Sequence, residues 1–360
     1  MPAHWLNAQP INDVAETQLD NTQHKLGPIM KTLKTYMITS VCALALTACS
    51  SESTATANAA ASPVEATMDW QSDAMQIAAE MLEAEYIYAD TGVELAAYLQ
   101  NSVSLFSDVS DREEFARQLT LGLFEIANDK HLRVFYDPET EGQEVRQEEA
   151  APANPPHIQY CRTAEVEHEV LAGNIGYIQF PRFFGDEAYK AEFDVAIAAL
   201  SDTDGMVLDL RNNCGGGPDL VRHLSTYFFA EPTHLVDTEF RGQDVMGRWT
   251  YDEVPGERYL DRPLIILTNG HTFSAAESFT FGMKATGRAQ TAGEGTGGGG
   301  HFGSVERLTS DFTLFVPVGR TFDPRTGRGW EAEGIQPDVE ARSDDALNAA
   351  LEHLAGLSVE

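Results

Sequence analysis

Between Asp69 and Ala127 apolar residues recur at helical spacing: Met75, Ala78, Ala79 and Leu82, then Leu95, Leu99 and Val103, then Phe115, Leu119 and Leu123. Such spacing lays one apolar stripe along each of three helices, so residues 69–128 are expected to form a small helical domain. Asp129 to Tyr136 alternates apolar and polar positions and predicts a strand with His131 near its start. The acidic, proline-rich stretch from Asp137 to Pro156 predicts an exposed loop. From Ile175 the pattern changes to short apolar runs separated by helical stretches. Ile175 to Phe180 precedes Glu187 to Leu200, Met206 to Leu210 precedes Leu220 to Phe229, and Leu264 to Thr268 precedes Ala275 to Thr286. Repeated strand-then-helix units imply parallel strands buried on both faces, an α/β core over residues 129–360. Near the end, Val305 to Leu308 and Phe312 to Val318 predict a hairpin across Thr309-Ser310-Asp311.

Charge narrows the functional classes. The 360 residues carry 24 basic and 56 acidic side chains, a formal net charge of -32. Phosphate and anionic headgroups are collected by clustered Lys and Arg, so nonspecific nucleic-acid binding is excluded. Hydrophobic residues at 42% are enough to bury a sizeable core. The four cysteines, at 42, 49, 161 and 214, lack the paired short spacing of a zinc ribbon, and no structural metal is expected.

The segment Met30 to Cys49 places Lys31 and Lys34 ahead of an apolar run and then small residues, the layout of an export signal. The run is shorter than the about 20 residues of a membrane span. Leu46-Thr47-Ala48-Cys49 resembles the lipobox of bacterial lipoproteins, in which the signal is cut before a cysteine that carries diacylglycerol. Residues 1–29 are then an upstream extension, 30–48 the signal peptide, and 49–68, small and polar, a flexible tether. This layout implies a periplasm-facing lipoprotein of the bacterial cell envelope, membrane-held through Cys49. Export would put Cys161 and Cys214 in an oxidising compartment, where they can pair if their Cα atoms come within about 7 Å.

Two segments offer chemistry. Ser274, in His271-Thr272-Phe273-Ser274-Ala275-Ala276-Glu277, follows a strand and a glycine turn and opens a helix. Ser-x-x-Glu is a capping box, but the same geometry puts a hydroxyl where free N–H groups can stabilise an oxyanion. Asp209-Leu210-Arg211-Asn212-Asn213-Cys214-Gly215-Gly216-Gly217 follows another strand, and its glycines let backbone N–H groups approach a substrate. Neither this loop nor Gly295 to Gly300 ends in Gly-Lys-Ser/Thr, so ATP and GTP are rejected and no cofactor is expected. A serine nucleophile needs a base; His131, His271 and His301 lie near these motifs, and spacing alone does not choose among them.

Taken together and in order, these segments resemble the tail-specific, or carboxyl-terminal processing, serine peptidases, in the branch of the tricorn protease core and the repeats of interphotoreceptor retinoid-binding protein. Gly176-Tyr177-Ile178, Asp209 to Asn213 with its glycines, Thr272 to Glu277, Gly293-Glu294-Gly295-Thr296, and Trp330-Glu331 with Gly334 and Pro337-Asp338 carry the likeness. The resemblance implies a helical bundle leading into a crotonase-like spiral of ββα units. It also implies Ser274 as nucleophile, with the N–H groups of Ala275 and Gly216 or Gly215 as oxyanion hole. The lysine base of the better-known branch has Gly299 at its position, and Lys284 is not there. The tricorn-like branch implies His131 as base and Glu331 as helping to set the polar network around the nucleophile or its base, although Lys130 stands where relatives place a small residue. About forty residues separate Tyr136 from Ile175, too few for a PDZ module, so the substrate would be a peptide or unfolded segment taken by the core cleft and the helical domain. The same resemblance carries a rival, a noncatalytic binder of hydrophobic ligands.

Overall fold

The computed structural model describes residues 70–138, 160–161, 163 and 165–357. The expected extension, signal peptide, lipid-bearing Cys49 and tether lie outside the described residues, as does most of the acidic loop.

Three helices come first: α1 (Trp70–Glu85), α2 (Ala89–Phe106) and α3 (Arg112–Ala127). Their apolar stripes are buried as the spacing predicts, with Met75, Leu82, Leu95, Leu99, Phe115, Leu119 and Leu123 fully enclosed. Asp111 caps α3 by accepting the Glu114 N–H at 2.8 Å. At the other end Asn128, at φ 49°, closes the helix in a left-handed turn with its N–H on the Phe124 carbonyl. That turn delivers Asp129 to Leu132 and then β1 (Arg133–Tyr136) to the sheet.

The strands and helices that follow are β2 (Glu167–Leu171), β3 (Ile175–Gln179), α4 (Glu187–Ala199), β4 (Gly205–Asp209), α5 (Pro218–Thr226), β5 (His234–Phe240), β6 (Met246–Trp249), β7 (Leu264–Thr268) and α6 (Ala275–Ala285). The chain ends with β8 (Gln290–Gly293), β9 (His301–Arg307), β10 (Phe312–Phe322), β11 (Val339–Glu340) and α7 (Ala346–Leu357).

These strands form two sheets. One has the order β11-β8-β7-β4-β3-β2, parallel throughout except for the antiparallel β2 edge. Its inner strands are buried on both faces. Met206, Leu208 and Ile266 face a core with Phe193 of α4, Leu224 of α5 and Phe279 of α6. Val207, Ile265 and Leu267 face Ala346, Ala350 and Leu354 of α7. Such strands read as unbroken apolar runs because neither face meets water.

The second sheet is antiparallel, with the order β1-β10-β5-β6 and β9 along the other edge of β10. Phe312, Leu314 and Val316 of β10, with Leu308 just past β9, complete the core of α1 to α3, so the helical segment and this sheet share one apolar interior. The crotonase-like spiral of ββα units is therefore corrected: the chain is an α/β fold of two sheets, one mixed and mainly parallel, one antiparallel. Strand-then-helix alternation holds for the β3–α4, β4–α5 and β7–α6 units. β5, β6, β9 and β10 leave that series and join β1 in the second sheet, where Arg133 of β1 lies opposite Phe315 of β10.

Candidate active site

Ser274 stands at the turn between β7 and α6, with φ 55° and ψ −117°. An L residue is disfavoured there because its Cβ crowds the adjoining peptide, and such backbones persist only where their surroundings hold them. Here the hold is visible. Thr272 Oγ1 donates to the Leu210 carbonyl at 2.8 Å and accepts the Asn269 N–H at 3.0 Å. Phe273 N–H reaches the Asn213 carbonyl at 3.0 Å. Glu277 Oε2 accepts the Ser274 N–H at 2.9 Å.

Asn213, fully buried, shapes the loop beside the serine: its Nδ2 donates to the Phe180 carbonyl and its Oδ1 accepts the Gly215 N–H, both at 2.9 Å. Gly215 adopts φ 82°, and a Cβ there would lie 2.6 Å from the Phe273 carbonyl and 2.7 Å from both Ala275 N and Ser274 Cβ. The loop backbone thus packs against the serine in a way only glycine allows. Gly216 is exposed and Gly215 buried, and the Gly215 N–H is already given to Asn213. Cys214, one residue away, is joined to Cys161 by a disulfide with Cα atoms 5.8 Å apart.

Glu277 has a wider reach than its capping role. Fully buried, its carboxylate accepts the Thr296 hydroxyl at 2.6 Å and the Gly298 and Gly299 N–H groups at 2.7 Å, besides the Ser274 N–H. Burial raises its pKa, and these donors oppose the rise. The start of α6 and the glycine loop 295–300 are thereby locked together.

That loop leads to His131. Its imidazole lies between Phe273, with ring centroids 4.5 Å apart, and Phe315, at 5.3 Å. A Cβ on Gly299 would come within 2.7 Å of its Cε1. His131 Nδ1 is buried without a partner among the described residues, and burial pushes the ring's pKa down to about 4. Asp129 opposes that shift, whereas His301 and Arg133 add to it. The structure therefore brings His131 against the neighbour of Ser274 but forms no imidazole–hydroxyl hydrogen bond among the described residues.

Glu331 is elsewhere in the network. Its Oε2 accepts the Gly300 N–H at 2.6 Å and the His301 N–H at 2.8 Å, and lies 3.7 Å from His301 Nδ1. Its Oε1 is buried and unpartnered among the described residues, and burial, with Asp129 second, raises its pKa. His301 Nδ1 meets Asp129 Oδ2 at 2.7 Å. Asp129, His301 and Glu331 bring possible ligand atoms within 4.8 Å of one another, but both Asp129 oxygens and Glu331 Oε2 already accept hydrogen bonds, so the trio is a hydrogen-bonded network. A cavity of about 480 Å³ adjoins it, walled by Tyr88, His301, Arg320, Arg328, Glu331 and neighbouring residues; neither Ser274 nor His131 lines it. His271 is exposed, and Lys284 is held by Asp338 at 2.5 Å and the Gln336 carbonyl. The roles of Asp129 and Asn213 escaped the sequence reading, although both residues lie in segments it singled out. Each offered an Asx-turn signal, Asp129 two residues before His131 and Asn213 two residues before Gly215.

Comparison with known proteins places this geometry in a family. Residues 57–170 match the N-terminal domain of Peptidase_S41 in eukaryotic IRBP, and residues 174–341 match peptidase family S41. The carboxyl-terminal-processing protease of Synechocystis sp. is 30% identical over 207 residues, 54% of this chain and 47% of that protein. The chain spans less than half the length of the curated relatives it matches first. Among solved structures, a lipoprotein from Streptococcus agalactiae aligns with TM-score 0.57 at 17% identity over 79% of this chain and 96% of that one. The photosystem II D1 C-terminal processing protease aligns with TM-score 0.52 at 17% identity, over 80% and 97%. At such identities the two structures speak for the fold alone. With two adjoining S41 domains matched in their family order, this chain belongs to the tail-specific, carboxyl-terminal-processing S41 serine-peptidase family.

Proposed function

We propose that the chain is a serine peptidase that hydrolyses peptides or unfolded protein segments through an acyl-enzyme on Ser274. The observation that carries this reading is the serine's backbone: a positive φ at the first turn of α6, pressed against a glycine peptide that admits no Cβ. In this reading Ser274 Oγ attacks the scissile carbonyl while His131 takes its proton. The Ala275 N–H, at the helix start, and the Gly216 N–H hold the resulting oxyanion. His131 then gives the proton to the leaving amine, and water attacks the ester by the reverse route. Glu331 fixes the Gly300–His301 backbone, next to the Gly299 that packs against His131. His131 must turn from its place between the two phenyl rings to meet the hydroxyl, a closure that free enzymes often complete only with substrate and that would give the ring a partner.

The missing imidazole–hydroxyl bond favours a second reading, a noncatalytic ligand binder. Incubation with an unfolded protein and mass spectrometry of the products separates the two: new termini made by wild type and not by Ser274→Ala support the peptidase, and none from folded wild type supports the binder. The envelope lipoprotein reading rests on the Leu46 to Cys49 motif. Cys49→Ala should move the protein from the membrane to the soluble fraction, and unchanged fractionation would remove that reading.

A further inference from the structure

Asp129 is fully buried, and neither the reaction described above nor the cap of α3 makes use of its carboxylate. It receives four donors. Oδ1 accepts the N–H groups of His131 at 2.9 Å and Leu132 at 3.3 Å. Oδ2 accepts the Tyr86 hydroxyl at 3.0 Å and faces His301 Nδ1 at 2.7 Å. The adjacent cation does not serve it, because Lys130 Nζ is directed to the Gly297 carbonyl at 2.5 Å. A carboxylate removed from water is tolerated only when its lone pairs are occupied, and here the occupants include the backbone N–H of His131 and the ring of His301.

We propose that Asp129 is the positioning residue of His131: Oδ1 fixes the backbone that carries the imidazole, and the negative charge, shared with His301, sets how readily that ring accepts the Ser274 proton. The inference rests on His131 being the base. Glu331, the carboxylate expected to set the polar network around the nucleophile or its base, makes no hydrogen bond to His131 and instead holds Gly300 and His301. Around His131 stand Asp129, Lys130 and Arg133 on its own segment, the neutral rings of Phe273 and Phe315, His301 and Glu331 across the glycine loop, and Glu277 behind Gly299. Among these, Asp129 favours the charged imidazole, while His301 and Arg133 disfavour it. Removing Asp129's charge and removing the His301 ring should therefore act on the base in opposite directions.

The test is the pH profile of kcat/KM on a peptide substrate for wild type, Asp129→Asn, His301→Gln and Tyr86→Phe, with folding checked by thermal unfolding. Asn keeps an oxygen for the His131 and Leu132 N–H groups but carries no charge. Asp129→Asn should lower kcat about 10- to 100-fold with KM within about twofold, and should move the acid limb to lower pH. His301→Gln should move that limb to higher pH, and Tyr86→Phe, which keeps the charge, should leave it in place. A role in packing alone would lower activity without separating the limbs. An unmoved acid limb in Asp129→Asn, or shifts of one sign in both charge variants, overturns the proposal. If Asp129→Asn does not fold, His301→Gln decides: an upward limb supports it and a fixed limb overturns it. His131→Ala distinguishes the failures. Retained activity there removes the base assignment itself, whereas activity lost there with an unchanged Asp129→Asn profile removes only the role of Asp129.

Discussion

If Ser274 is held in a strained backbone for the sake of its chemistry, removing the Cβ should make the protein more stable while leaving it inactive. At φ 55° and ψ −117° an ordinary residue carries about 1 to 3 kcal/mol of strain, which glycine largely avoids. Ser274→Ala keeps the strain and loses the hydroxyl; Ser274→Gly loses both, and the difference between them isolates the backbone. Glycine also exceeds alanine at an unstrained N-cap, so a reference position is needed. Asp186, the N-cap of α4 at φ −78° and ψ 153°, supplies it. Urea unfolding of the four variants, followed by tryptophan fluorescence, should give a glycine-over-alanine advantage at 274 larger than that at 186 by about 1 to 3 kcal/mol. Equal differences at the two positions would refute the claim that the nucleophile turn stores strain, and with it the observation on which the peptidase reading leans most.

Further outcomes follow from the same geometry. His131 is held at a pKa of about 4 against 6.5 when unfolded, so the unfolded chain binds the extra proton between those values; the contribution is present above 6.5 and lost as pH falls toward 4. Wild type should therefore lose about 2 to 3 kcal/mol more stability than His131→Phe between pH 7.5 and 4.5, and parallel curves in urea would contradict the burial of a neutral ring. Gly215→Ala must place a Cβ 2.6 Å from the Phe273 carbonyl at φ 82°, and should lower hydrolysis at least about 100-fold while the protein still unfolds cooperatively; near wild-type kcat/KM would separate this loop from the chemistry.

Much of the fold is written in local periodicity. The stripes of α1 to α3 and the runs of β3, β4 and β7 are legible because each meets one kind of surroundings along its whole length, a single buried face or two. β2, Glu-His-Glu-Val-Leu, lies exposed on an edge, and β8, Gln-Thr-Ala-Gly, is short and small, so neither bears a pattern. The two-sheet arrangement depends on pairings such as Arg133 with Phe315, whose partners lie far apart in sequence and leave no mark on either segment. The candidate site divides in the same way. Ser274 is visible as strand, turn and helix start, all within ten residues. The Asn213 bond to the Phe180 carbonyl, the Glu277 grip on Gly298 and Gly299, and the contact of Asp129 with His301 exist only once distant segments meet.

The central claim is that Ser274 is a nucleophile activated by His131. A fluorophosphonate probe followed by intact-mass and peptide mass spectrometry tests it most directly. The expected result is one adduct per chain, on Ser274, absent from Ser274→Ala, formed much more slowly in His131→Ala and less affected in His301→Ala. A well-folded wild type that stays unlabelled, an adduct on another residue, or a greater loss in His301→Ala than in His131→Ala would contradict it.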